Sequence, residues 1–257
     1  MSRKLRPLHF HIILAAAVVI TLGGCAGTSA TRPAKDENTA AYQYDLAFVA
    51  YKYGLEDEAV RYLEKALTLD PVHQPSLLLL ASLQIKRKDY ARAEETLLKS
   101  LSLNPDDVEA RSRLARVYRE TGAQDKAEEE FLKAHALNPS TTTSLNLAQH
   151  FYDRGRPEKA LEYADEAAAA DGLSVPAWNI RGVILSRLGR NAEAATSFEK
   201  VLSLQPENVA SAYNLAATYI SLERLGEARD ILERLLLRVE DKKMKERISE
   251  ALEAIKN

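Results

Sequence analysis

Three arginines in the middle of the chain have the type and spacing of a carboxylate-binding group. Arg113, Arg116 and Arg119 recur at i, i+3 and i+6, so on a helix they project to one side. Guanidinium groups form strong, often bidentate hydrogen bonds with carboxylates, so the set predicts a grip on an acidic peptide or a terminal carboxylate. The alternative is three solvated charges paired with Glu109 and Glu120, and the sequence leaves both open.

Patterns typical of catalysis, metal binding or nucleic-acid binding do not occur in the sequence. None of the five histidines has metal-ligand spacing, and there is no glycine-rich phosphate loop or nucleophile elbow. The formal net charge is −2 with no basic stripe, which argues against nucleic acid. We expect no enzyme activity, cofactor, metal or small-molecule substrate; an enzyme with an unrecognised site is the remote alternative.

The single cysteine, Cys25, follows a segment typical of a secretory signal. A basic start precedes the apolar run 12–22, which is too short for an ordinary transmembrane helix. The run ends in Leu22-Gly23-Gly24-Cys25, which resembles the bacterial lipobox. The resemblance implies cleavage before Cys25 and a diacylglycerol on its sulfur. A plain secretory signal with an incidental cysteine is the alternative.

This anchor sets the expected location of the protein. Residues 1–24 are predicted to be a lipoprotein signal peptide, and the small, polar residues 25–39 a flexible tether. Ala26 stands after the cysteine, in place of the aspartate associated with inner-membrane retention in enterobacterial lipoproteins. We therefore expect a lipoprotein facing the periplasm, held by the lipid on Cys25 at the outer membrane.

The rest of the chain repeats with a period close to 34 residues. Six alanines are spaced by 34, 34, 33, 34 and 34 residues, and a small residue precedes each by twelve. Such a period is typical of stacked helical hairpins, in which small residues mark the point where two antiparallel helices cross closely. The alanines are Ala59, Ala93, Ala127, Ala160, Ala194 and Ala228, and the preceding residues are Ala47, Ala81, Ala115, Ala148, Gly182 and Ala216.

This pattern resembles the tetratricopeptide repeat (TPR) family, whose signature combines W-x2-L-G-x2-Y, A-x3-F and P. The resemblance implies an all-α, right-handed superhelical solenoid of six helix-turn-helix repeats. The repeats are predicted at about 40–73, 74–107, 108–140, 141–174, 175–208 and 209–242. The fifth repeat matches the signature best, with Trp178, Gly182, Leu185, Gly189, Ala194, Phe198 and Pro206.

Residues 243–257 are predicted to form a capping helix. Met244, Ile248, Leu252 and Ile255 recur at helical spacing among mixed lysines and glutamates. The terminal element of a solenoid needs a polar outer face, which this pattern supplies. A helix lying on a membrane surface is the alternative, and the mixed charges of the polar face disfavour it.

In TPR proteins the first helix of each hairpin lines a concave groove, so the resemblance implies a protein or peptide partner there. Asn146, Asn179 and Asn214 are assigned to the same sixth position of three consecutive units, where an amide both donates to and accepts from a peptide backbone. Their alternative role is to tie adjacent hairpins together, and the first-unit aromatics are either packing or a pocket. The predicted groove residues are Tyr44, Phe48, Tyr51, Arg113, Arg116, Arg119, Asn146, Gln149, Tyr152, Asn179, Arg187, Tyr213 and Asn214.

These expectations combine into a lipid-anchored periplasmic scaffold or adaptor that helps to assemble an envelope complex. A lipobox followed by six TPR units is similar in layout to the pilotin lipoproteins of type IV pilus secretins. It is equally similar to lipoproteins that tether peptidoglycan hydrolases or serve exopolysaccharide export. Layout does not separate these pathways, since a fold does not fix a function.

Overall fold

The computed structural model describes residues 38–256, and within that part all regular structure is α-helical. Consecutive helices pair as six hairpins, α1 with α2 through α11 with α12, and α13 follows singly. This confirms the predicted helical solenoid of six repeats and a final helix. The helices are α1 (Ala40–Lys52), α2 (Glu56–Leu69), α3 (Gln74–Lys86), α4 (Tyr90–Leu103), α5 (Val108–Glu120), α6 (Gln124–Leu137), α7 (Thr141–Asp153), α8 (Pro157–Ala170), α9 (Val175–Arg187), α10 (Asn191–Leu204), α11 (Val209–Ser221), α12 (Leu225–Arg238) and α13 (Lys242–Ala254).

The predicted signal peptide, most of the tether and Cys25 lie outside the described residues. The bounds assigned to the signal peptide, tether, repeats and cap stay predictions. Among the helices of residues 38–256, none combines the length and the apolar character needed to cross a membrane.

Side chains cap all but one of the odd-numbered helices, α3 being the exception. At six of the seven odd-numbered helices, a side-chain oxygen before the helix accepts a hydrogen bond from a backbone N–H of the first turn. Such a cap stabilises a helix by about 1 kcal/mol, so these residues fix where the first helices begin. The capping residues are Thr39, Asp107, Ser140, Ser174, Asn208 and Asp241.

Each hairpin turns over three residues, and the middle one has a left-handed backbone. Glycine holds this place in the first, third, fourth and fifth hairpins, with φ from 69 to 83°. Lys88 holds it in the second hairpin and Glu223 in the sixth, both with φ of 59°. A residue with a Cβ pays about 1 kcal/mol or more for this conformation, so these two turns carry a cost that the others avoid.

Small residues place the two helices of a hairpin in close contact. The six periodic alanines are fully buried, as are the alanines that precede five of them by twelve residues. Gly182 stands at that earlier place in the fifth hairpin, and a Cβ there would lie 2.7 Å from Cε1 of Phe198. Phe198 on α10 is itself buried, so glycine at this crossing makes room for its ring.

Each later hairpin buries one face on the hairpin before it. The tenth residue of the first helix shows this, because it is at most 4% exposed in the second to sixth hairpins. Val49, its counterpart in the first hairpin, is 47% exposed, since no described hairpin precedes it. At the other end, the buried Ile248 on α13 and Ile255 after it cover the sixth hairpin, which confirms the capping helix. The buried tenth residues are Leu83, Val117, His150, Ile184 and Thr218.

The one-residue slip in the repeat period comes from a loop. Residues 138–140 join the third and fourth hairpins with three residues, whereas the other connections between hairpins have four. Ser140 then caps α7 in a reciprocal arrangement with Thr143, whose hydroxyl accepts from the Ser140 backbone. The connection 239–241 before α13 also has three residues, so the final helix repeats the short spacing.

Candidate partner-binding surface

The first helices of adjacent hairpins contact each other directly, from α1 against α3 to α9 against α11. They therefore form one continuous surface, which we call the first-helix surface. Three depressions on it contain residues from the predicted groove. We call them the basic, middle and amide depressions and define each below.

The basic depression lies across α1, α3 and α5 and has a volume of ≈ 440 Å³. Glu56 pairs with Lys86 at 2.5 Å, and the hydrogen bond between them lowers the pKa of the glutamate and raises that of the lysine. Glu120 is its only acidic lining residue. The lining includes Tyr51, Lys86, Lys88, Tyr90, Arg113 and Arg116.

The middle depression borders the same arginines and extends toward α7. It has a volume of ≈ 480 Å³, and Arg113 and Arg116 line both it and the basic depression. Its other polar lining includes Glu109, Ser112, Thr142 and Asn146. The two guanidinium groups thus stand between neighbouring concavities of the first-helix surface.

The three predicted groove arginines on α5 differ in what their side chains contact. Arg113 donates to the Leu78 carbonyl on α3 at 2.7 Å and forms an ion pair with Glu109. Arg119 lies 3.6 Å from Glu120 and lines none of the three depressions. The pairing that the sequence offered as an alternative therefore occurs for these two arginines.

Arg116 is the arginine of this set that stays available. Arg116 is exposed, and its side chain has no hydrogen bond or ion pair within residues 38–256. Lys88, at the left-handed turn beside it in the basic depression, is also exposed and has no ion pair in the described part of the chain. The basic depression therefore holds two uncompensated positive charges.

The amide depression lies on α7, α9 and α11 and has a volume of ≈ 350 Å³. The guanidinium of Arg187 lies 5.8 Å from the centre of the Tyr152 ring, and the amides of Asn191 and Asn214 are also in the lining. Thr218 and Ser221 add hydroxyl groups. This lining offers hydrogen-bond donors and acceptors with a single charged residue, unlike the basic depression.

The predicted shared position of the three asparagines is wrong. With hairpins that begin at residues 141, 175 and 209, Asn146 and Asn214 are sixth residues but Asn179 is a fifth residue. One residue turns a helix by about 100°, so the Asn179 side chain points differently. Its Oδ1 accepts a hydrogen bond from Ser211 Oγ at 3.1 Å, which ties the fifth hairpin to the sixth.

The remaining predicted residues lie on first helices but line none of the three depressions. Tyr44 stacks on Phe48 with ring centres 6.2 Å apart, so these first-unit aromatics pack on each other. Gln149 donates to Asp153 at 2.7 Å. The guanidinium of Arg247 on α13 lies over the ring of Tyr213, 4.5 Å from the ring centre. Their role in binding stays a prediction.

No residue of the second hairpin was predicted to line the groove, but several residues of that hairpin line the basic depression. Ser82 and Lys86 are the ninth and thirteenth residues of that hairpin, the places that the predicted groove residues Arg116 and Arg187 hold in the third and fifth hairpins. The same counting would have found them. Lys88 and Tyr90 follow α3, so a rule restricted to first helices does not reach them.

His150 is a buried histidine on α7 whose ring nitrogens have no hydrogen-bond partner. Its ring packs 5.6 Å from both Phe131 and Phe151, measured between ring centres. Burial lowers its pKa below the ordinary value of 6.5, and the carboxylate of Glu128, 3.8 Å away, acts in the opposite direction. Among residues 38–256, no group of three or more His, Cys, Asp or Glu could hold a metal. The other charged groups that act on His150 are Arg154, Arg119 and Asp153.

Two protein-family models match the chain, and both are described as tetratricopeptide repeat. One matches residues 50–99 and 185–252, and the other matches 78–140 and 145–202. The chain therefore belongs to the tetratricopeptide repeat family, as the spacing of its alanines predicted. No curated protein matches it.

Solved structures of other TPR proteins share the fold. PilW, described as a widely conserved type IV pilus biogenesis factor, has a TM-score of 0.73 and 19% identity over 81% of this chain and 97% of PilW. PilF from Pseudomonas aeruginosa has a TM-score of 0.70 and 16% identity over 82% of this chain and 96% of PilF. YrrB, a TPR protein with an unusual peptide-binding site, has a TM-score of 0.59 and 21% identity over 73% of this chain and 97% of YrrB.

At these identities the structural likeness shows the fold alone. TPR proteins bind peptide or protein partners, and the family is a class of interaction scaffolds rather than of enzymes. The chain is thus a TPR scaffold for protein–protein interaction, and its first-helix surface is the candidate site.

Proposed function

We propose that this protein is a lipid-anchored periplasmic adaptor that holds a partner protein on its first-helix surface during assembly of an envelope complex. The proposal that a partner protein binds there is based on the row of depressions on that surface. Arg116 and Arg187 lie in different depressions and have no ion pair within the described residues. Exposed guanidinium groups in concave surroundings are suited to carboxylates and carbonyls of a bound chain.

The anchor and the location rest on the N-terminal sequence. A basic start, the apolar run 12–22 and Gly24-Cys25 support lipidation of Cys25, and Ala26 supports transfer to the outer membrane. A membrane tether raises the effective concentration of the adaptor for partners assembled at the same surface. A Cys25→Ser variant is expected to leave the membrane fraction, and unchanged membrane association would refute the anchor.

The second candidate function is that of a pilotin-like factor for a type IV pilus secretin. It is favoured by PilW, because almost the whole of that pilus biogenesis factor is matched by this chain. Adaptors for peptidoglycan hydrolases or exopolysaccharide export remain alternative pathways. The partner that is recovered from the native envelope separates these pathways.

Affinity purification of the full chain from its own membranes tests the proposal. A secretin among the partners supports the pilotin function, whereas hydrolases or export components support the alternative pathways. We expect Arg116→Glu combined with Arg187→Glu to lose the partner. The matched control is Arg92→Glu combined with Arg234→Glu, which makes the same charge change on the exposed faces of α4 and α12. Equal recovery with both double variants would refute binding on the first-helix surface.

A further inference from the structure

The structure assigns a ligand chemistry to the basic depression: we propose that it binds an extended acidic segment of the partner protein. This inference rests on the proposed function, in which the first-helix surface holds a protein. It goes further by naming the part of that surface that selects the partner and the charge that it selects. Arg187 is the single charged residue in the lining of the amide depression, whereas four basic residues line the basic depression, so we assign the selection to the basic part of the surface.

The first argument for an acidic ligand is the balance of charge in the basic depression. Lys86 and Arg113 are each neutralised by a glutamate outside or at the edge of it, through their pairs with Glu56 and Glu109. Arg116 and Lys88 are exposed and have no such pair in the described chain. A segment that brings carboxylates to these two groups supplies the missing counter-charges, whereas a basic segment adds to the repulsion.

The second argument is the left-handed backbone conformation of Lys88. Four of the six equivalent turns have glycine, which adopts the left-handed conformation without cost, but Lys88 has φ of 59°. A strained residue at the edge of a binding surface is consistent with a side chain kept there for contact rather than for folding. Glu223 has the same φ in the sixth hairpin and lines none of the three depressions, so it provides an internal control.

The shape of the surface favours a peptide over an anionic membrane. The two free charges lie in a concavity of ≈ 440 Å³, with Tyr51 and Tyr90 in its lining. A single extended chain enters such a concavity and places side chains against the tyrosine rings. A flat bilayer reaches the rim but not the interior, so we commit to the peptide.

The test uses the purified full chain in detergent micelles and two labelled peptides of equal length. One is rich in glutamate, and the other has glutamine in place of each glutamate. Fluorescence anisotropy is expected to show tighter binding of the glutamate peptide and weakening as salt is added. Arg116→Glu and Lys88→Gly are each expected to weaken this binding by up to about fivefold, the upper end of the range for one exposed ion pair.

Two control variants separate contact from folding and from general charge. Lys88→Gly and Glu223→Gly both relieve a left-handed turn, so both should raise the melting temperature, but only Lys88→Gly should weaken peptide binding. Arg234→Glu makes the same charge change as Arg116→Glu on the exposed face of α12, outside the three depressions, and should bind the glutamate peptide almost as the parent does.

Three results of the peptide assay would overturn the inference. These are equal binding of the two peptides, equal weakening by Arg234→Glu and Arg116→Glu, and full binding by Lys88→Gly. Competition by phosphatidylglycerol vesicles that Arg116→Glu abolishes, without specific peptide binding, would assign the charge to a membrane instead. If Arg116→Glu still recovers the native partner in full, this inference fails and the adaptor function stands. If the parent recovers no partner while the glutamate peptide binds, the adaptor function fails alone.

Discussion

Replacing Gly182 with alanine tests whether a close helix crossing sets the packing of the fifth hairpin. A Cβ at this position lies 2.7 Å from Cε1 and 2.8 Å from Cζ of Phe198, well inside van der Waals contact. Phe198 is 1% exposed, so its ring has no solvent to swing into. The added methyl group therefore forces α9 and α10 apart or displaces the ring within the core.

Two terms of opposite sign determine the size of the effect. An extra methyl group in a packed core costs about 1–3 kcal/mol. Alanine in a helix interior gains about 1 kcal/mol over glycine. We expect the free energy of unfolding to fall by about 1 kcal/mol. We do not expect a larger loss, because the third hairpin accommodates the same pair: Ala115 and Phe131 stand there at the equivalent places, and both are buried.

A second substitution is expected to rescue the first. The first, second and sixth hairpins have leucine at the place of Phe198 and alanine at the place of Gly182. Phe198→Leu alone leaves a gap that costs about 1 kcal/mol or more. Combined with Gly182→Ala, the smaller side chain makes room for the new methyl group, so the two changes should offset each other by about 1 kcal/mol.

Urea denaturation provides the measurement, followed by far-UV circular dichroism and by tryptophan fluorescence. Trp178 is the only tryptophan and lies on α9, one turn before Gly182, so its fluorescence reports on the altered hairpin. A repeat protein need not unfold in one step, and the two signals together detect this. If Gly182→Ala is as stable as the parent, or if the two substitutions add independently, the steric explanation is wrong.

Two further predictions concern the tenth residue of the first helix. Protonation of His150 is more favourable in the unfolded chain because burial lowers its folded pKa, so stability should fall as pH drops below about 6.5, toward the folded pKa. His150→Leu should remove this fall in thermal melts at several pH values and raise stability in acid; an unchanged pH dependence would contradict the assignment. Val117→Lys should cost about 3 kcal/mol or more because its site is fully buried. Val49→Lys, at the equivalent exposed site, should change stability by no more than about 0.5 kcal/mol, and similar urea midpoints for the two would refute the stacking of hairpins.

The helical hairpins were predictable because close helix crossings leave a local mark in the sequence. Ala93 and Ala127, for example, are fully buried where larger side chains would hold the helices apart. The repeat spacing therefore predicts the six helical hairpins from the sequence. The three-residue loop at 138–140 likewise accounts for the single short interval in the spacing.

The binding surface was only partly predictable, because long side chains reach groups on neighbouring hairpins. Arg113 and Arg116 are three residues apart on one helix, yet Arg113 donates to the Leu78 carbonyl and Arg116 has no ion pair among the described residues. The position of that carbonyl depends on how two hairpins stack, which residue spacing does not specify. Asn179 was misplaced by one residue, and its hydrogen bond to Ser211 again joins two hairpins.

The short range of the helix contacts has a consequence for how the chain reaches its folded state. In the described part, helices pack on the next helix or on the next but one, so no early segment waits for a distant one. Chains with such local contacts fold fast, and each hairpin can add to those already formed. Because the N-terminus is synthesised first, a growing chain exposes the apolar edge of only its most recently formed repeat at any one time. The apolar edge that is newly open to aggregation during synthesis is therefore that of the last complete repeat, however many repeats have been made.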